Sequence, residues 1–298
     1  MNKIKVIKPY LIILIAITVL TSVFLSLAFF RSFDINTGFF IKGSIDVTVF
    51  FALYVLGFIC CLAGALLFPK KTVTKSDDEL SNSHKIIFAL LGTLTILYGT
   101  ISYFVSSEAY MLDTIPLIAS VGIYGFGGYL LLISVMNGYK FSNFKLLCLI
   151  LSIGLPAAMH ITNNSNLAKP LGAPDNELVS IFATVFLIYI IYEGRRVHTG
   201  IHYRMHLVSA SLVFFTGFAT SSAYVLAFLS QKVYDESKFY QMIAVLLISL
   251  ASLVELFRFS THAVVHTEEE WAEIEATQER GQENQPAVEE NANETKEI

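Results

Sequence analysis

The chain has 298 residues, 54% of them hydrophobic and only 15% charged, a balance too apolar for a soluble domain of this length. Its net charge of −4 joins two unlike parts: residues 267–298 hold eleven glutamates against Arg280 and Lys296, net −9, so the remainder carries +5. Cys60, Cys61 and Cys148 all fall in apolar runs, which excludes both a loop disulfide framework and a CxxC metal ribbon.

Eight long apolar runs follow one another along the chain. Crossing ~30 Å of hydrocarbon takes ~20 residues of helix, and only a helix satisfies its own backbone polar groups there. The first run, 10–30, follows Lys3, Lys5 and Lys8. With the small pair Ser26 and Ala28 it resembles a cleaved secretory signal in outline, but its length of about twenty residues favours a retained anchor. The loop after it reads RSFDINTGFFIKGSID, where Gly38 and Gly43 bracket Phe39, Phe40 and Ile41, a pattern for a tight turn with aromatic rings at headgroup level.

The next three spans cover 47–68, 86–105 and 115–136. The last of these contains Gly122, Gly125, Gly127 and Gly128. They do not make a dinucleotide loop, because they lie inside an apolar span and follow no strand; they read as a surface for close helix contact. Tyr124 and Tyr129 lie beside them.

The fifth span, 144–159, is interrupted by Gly154 and Pro156, and the sixth, 178–192, is only fifteen residues long. That shortness either draws Glu177 and Glu193 towards the hydrocarbon or thins the bilayer locally. Broken or short helices leave backbone groups for a ligand, so Gly154 and Pro156 are the candidate substrate path of a transporter. Between these spans the loop 161–176, with Asn163, Asn164, Asn166, Pro170, Gly172 and Pro174, has a composition that forms turns and resists helix. The seventh and eighth spans are 207–230 and 239–257, and Thr216, Thr220, Ala223 and Ala227 give the seventh a small-residue face. Their short connection predicts antiparallel neighbours.

Lysine and arginine set the orientation. The N-terminus and the even-numbered loops hold twelve (Lys3, Lys5, Lys8; Lys70, Lys71, Lys75, Lys85; Lys140, Lys145; Arg195, Arg196, Arg204), and the odd-numbered loops five. The positive-inside rule then places both termini in the cytoplasm.

Six of the seven histidines fall on that same side: His84, His198, His202, His206, His262 and His266. In RRVHTGIHYRMH the spacing of His198, His202 and His206 stacks three rings on one helical face within about 80°, although Gly200 weakens the helix. On the eighth span Glu255, Arg258, His262 and His266 share a face in the same way. If the two inner ends meet, the five histidines are candidate metal ligands; ordinary interfacial residues explain the same pattern, and no HExxH motif is present. Glu255 lies among apolar neighbours, and Arg258, three residues on, is its expected partner, so that Glu255, Arg258, His206 and His262 form a polar cluster.

These readings give an all-α fold: a polytopic integral membrane bundle of about eight transmembrane helices, N-in/C-in, spanning 1–266, with no folded domain outside the membrane. A short acidic cytoplasmic tail follows at 267–298, helical at first and then disordered. The expected location is the plasma membrane, multi-pass. No catalytic or cofactor-binding site is legible and no cofactor is expected. The expected partners are the lipid bilayer and, through the acidic tail, a basic cytoplasmic protein; nucleic acid is not expected. Three functions from different classes fit: a membrane sensor, scaffold or anchor with an interaction tail; a small-solute transporter or permease; and, on the histidines alone, a metal-dependent intramembrane enzyme. A non-enzyme is favoured.

Overall fold

The structure, a computed structural model, describes residues 2–3, 7–34, 37, 39–68, 70–74, 80–109, 114–136, 141–165, 174–230, 233 and 236–265. In chain order these form β1 (Asn2–Lys3), α1 (Ile7–Ser32), β2 (Phe33–Asp34), β3 (Phe39–Phe40), α2 (Ile45–Leu67), β4 (Lys71–Thr74), α3 (Asn82–Ala109) and α4 (Thr114–Val135). There follow α5 (Asn143–Ser152), α6 (Gly154–Ser165), α7 (Pro174–Thr199), β5 (His202–Tyr203), α8 (Arg204–Leu229), α9 (Glu236–His262) and β6 (Ala263–Val265). Among the described residues eight segments are long and apolar enough to cross a membrane, α5 and α6 together making one. The tail, 267–298, lies outside the described residues.

Helix packing follows the small side chains. α8 sits at the centre, in contact with α1, α2, α7 and α9, and α4 lies against α3, α5 and α6. A Cβ placed on Gly122 of α4 would collide with the backbone nitrogen of Leu155, and one on Gly125 would lie 2.6 Å from the backbone nitrogen of Ser152. The backbones therefore touch directly, as small residues permit where lipid tails give no hydrophobic drive to association. α1 joins the same core: Ser22 and Ser222 of α8 share a hydrogen bond of 2.6 Å. Outward, large apolar residues such as Ile12, Val55, Leu66, Ile86 and Phe144 stand exposed, the arrangement expected of a lipid-facing surface.

Three sequence expectations are corrected. The sixth span is not short, because α7 runs for 26 residues and carries its helix on through Glu193 and Arg196. Hydropathy ends the span at the first charge, but here the charges neutralise one another inside the bundle, so local thinning of the bilayer is not needed. The fifth span is interrupted at Ile153, as the glycine and proline imply, yet it reaches 20 residues and the gap is a single residue. Pro156 has no N–H to give the Ser152 carbonyl, which ends α5, while Ile153 N–H bonds to Ile150 O at 3.1 Å and Ala157 N–H to Ile153 O at 3.2 Å. Asn163 and Asn164, read from composition as turn formers, belong to α6; residues 166–173 of that loop lie outside the described residues.

Short strands order both ends of the bundle. β2 and β3 form a hairpin with Phe33 opposite Phe40, and Phe29 packs on both rings at 5.1 and 5.3 Å. At the other end, β1, β6, β4 and β5 make a four-stranded antiparallel sheet in that order, with Asn2 opposite Val265, Val73 opposite Val264 and Thr72 opposite His202. Hydropathy treats these segments as loop. Their pairing is non-local, between the chain's two ends and two internal connections, and no local pattern announces it.

Candidate functional site

Beneath that sheet, three residues at the end of α7 and α8 and two on α9 are charged or titratable and lie inside the protein: Glu193, Arg196, His206, Glu255 and Arg258 are all buried. α7 supplies the first two. At three residues apart they project from one face, and the Arg196 guanidinium grips the Glu193 carboxylate with two donors, Nε to Oε2 at 2.8 Å and Nη2 to Oε1. Tyr129 of α4 donates its hydroxyl to Glu193 Oε1 and accepts from Arg196 Nη2 at 3.0 Å. A bidentate pair with a phenol closing its open side leaves little polar surface without a partner, which makes its burial tolerable.

Glu255 enters from α9. Tyr189 of α7 donates to its Oε2 at 2.7 Å, and Arg196 Nε comes to 3.4 Å of its Oε1. His206, in the first turn of α8, sits between the two carboxylates: its Nε2 is 2.6 Å from Glu193 Oε2 and 3.5 Å from Glu255 Oε1. Its ring lies nearly parallel to that of Tyr189, centroids 5.7 Å apart. Among the described residues neither ring nitrogen of His206, nor Glu255 Oε1, meets hydrogen-bond geometry with a partner. His202, on β5, is buried as well, its ring 5.5 Å from that of His206 and 5.4 Å from that of Phe259. Donor atoms of His202, His206 and Glu255 all lie within 4.8 Å of one another.

The local fold explains this placement. Gly200, at φ +67°, ends α7 in the left-handed conformation that glycine adopts without a Cβ penalty, and its N–H bonds to Arg196 O at 2.7 Å. The chain then runs extended through His202 and Tyr203 before α8 begins. Arg204 fixes that start, donating from Nε to Phe68 O at 2.8 Å and from its backbone N–H to Lys70 O at 3.2 Å. Arg195, exposed, lies 3.9 Å from the centre of the Tyr203 ring.

The sequence-derived candidates are distributed as follows. His198, His202 and His206 do not share a helical face, since the left-handed turn at Gly200 separates them; His198 is exposed and packs on Phe141, 5.5 Å between centroids, away from the cluster. His202, His206 and Glu255 come together. Arg258 is buried on the same helix as Glu255, and an ion pair also joins Glu255 to Arg196 of α7. The contact with Arg196 comes from the position of α7 against α8 and α9, which local spacing does not show. The side chain of His262, and all of His266, lie outside the described residues. Gly154 and Pro156 sit at the α5–α6 junction, where a Cβ on Gly154 would come to 2.6 Å of Ile118 O.

Glu193, Arg196, Tyr129 and Tyr189 were missed as a group. Only Glu193 and Arg196 carried a signal: an i, i+3 acid–base pair immediately after an apolar run continues the helix rather than ending it. No protein-family model, curated protein or solved structure matches the chain, so the chemistry of this site is read from its own geometry.

Proposed function

We propose that this protein is a multi-pass sensor or scaffold of the plasma membrane, with both termini in the cytoplasm, whose helical bundle carries the acidic tail 267–298 to a basic protein partner. The observation that supports the reading best is the buried Glu193–Arg196–His206–Glu255 network, which joins α7, α8 and α9 at the end of the bundle from which the tail departs. Ionisable groups placed at one end rather than at mid-membrane suit a lock between helices better than an ion path. A change in that lock acts on α9, and through it on the tail. The backbone-to-backbone contacts of α4 with the α5–α6 junction favour a closely packed interior, and so the same reading over a permease with its substrate at Gly154 and Pro156.

The test is made in native membranes with a photocrosslinking amino acid at Trp271. A discrete protein adduct is expected from the full chain, weakened severalfold when Glu268, Glu269 and Glu270 are changed to Gln. An adduct pattern indifferent to those charges, together with an unchanged phenotype on deleting 267–298, would refute the proposal. Glu255-dependent solute flux in proteoliposomes would favour the transporter instead.

A further inference from the structure

The imidazole of His206 faces Glu193 and Glu255, and Glu255 Oε1 lies 3.5 Å from Nε2, neither atom in hydrogen-bond geometry with a described partner. In the tautomer with its proton on Nδ1, Nε2 turns a lone pair towards the carboxylate, and a cation between Nε2 and Oε1 would satisfy two buried atoms at once. We propose that His202, His206 and Glu255 bind a divalent transition-metal ion of the zinc and cobalt class. Two imidazoles and a carboxylate are a donor set that zinc accepts, and the open fourth position suits water.

The distances agree with such a site. Ligand atoms of a tetrahedral ion with bonds of about 2.1 Å stand about 3.4 Å apart, which matches the 3.5 Å between His206 and Glu255. His202 donor atoms lie within 4.8 Å of the others, so a modest rotation of its side chain completes the set. Outer groups are already in place: Tyr189 donates to Glu255 Oε2 and leaves Oε1 free to bind, while Arg196 commits two donors to Glu193 and reaches Glu255 only at 3.4 Å. Such second contacts orient a ligating carboxylate. The ion would tie β5, α8 and α9 at a point independent of what the tail binds, so the site and the tail's role stand or fall separately.

The experiment uses the full chain in lipid nanodiscs, stripped with a chelator and titrated with Co²⁺, with binding read from the visible d–d absorption and competition by Zn²⁺. One equivalent of Co²⁺ per chain, displaced by Zn²⁺, is expected. Glu255→Gln and His206→Gln should each weaken binding at least tenfold, and Tyr189→Phe about 10- to 100-fold, as removal of a second contact does. His198→Ala, distant from the site, should bind like the unaltered chain. His206→Gln is open to failure by misfolding, so Glu255→Gln and Tyr189→Phe are compared only in samples whose thermal unfolding confirms a folded chain. Less than one equivalent in the folded, unaltered protein, or Co²⁺ spectra that ignore all three substitutions, would overturn the proposal.

Discussion

Arg196 is among the largest fully buried side chains of the described residues, and its guanidinium meets the Glu193 and Glu255 carboxylates and the Tyr129 phenol. A charge held this way is costly to strand and cheap to remove with its partner. Arg196→Met strips Glu193 of its guanidinium partner and is expected to destabilise by about 3–5 kcal/mol, whereas Glu193→Met combined with Arg196→Met should recover much of that loss. Reversible unfolding in bicelles measures both; a double variant as damaged as the sum of the two singles would show that the residues act independently. The sequence exposes both residues plainly but not their relation to His206 and Glu255, which lie 10 or more positions away on other helices. Electrostatic complementarity between distant segments leaves no periodicity to read.

At the level of elements, α7 shows where hydropathy fails. The window closes at Tyr192 because the next residues are charged, yet the helix continues seven residues to Thr199. Its true end is chemical, at Gly200, and Gly200→Ala is expected to lose about 1–2 kcal/mol, the cost of a Cβ in the left-handed region. The α4 glycines make a sharper case. Gly122→Val would drive side-chain atoms into the backbone of Leu155, where no rotamer change relieves them, and a loss of about 1–3 kcal/mol or more is expected. The same Val at Gly128, whose nearest neighbour beyond its own helix is the Cys148 sulfur at 3.4 Å, should be tolerated better, and comparing the two unfolding midpoints checks the assignment of the contact face.

Over the whole molecule, the positive charges and the sheet concern the same end. β1, β4 and β5 arise from the N-terminus and the second and sixth connections, segments whose lysines and arginines imply a cytoplasmic position, and β6, after α9, pairs with β1 and β4. Single cysteines at Asn164 and Asp235 are therefore expected to react with an impermeant thiol reagent in intact cells, and one at Lys70 only after permeabilisation. The reverse pattern would invert the bundle and move the buried cluster to the outer face.

The membrane class and the number and order of the spans could be read from sequence alone, because crossing hydrocarbon imposes a local requirement, about twenty apolar residues in a row, that each segment states by itself. The glycine faces of α4 were legible for a similar reason: small residues at close spacing mark contact whatever the partner. Tertiary structure decided the rest. Which carboxylate Arg196 holds, why His206 stands between two of them while His198 faces outward, and how four short segments become one sheet all depend on how α4, α7, α8 and α9 are placed against one another. That placement arises from the fit of entire helix surfaces, and no window of sequence contains it.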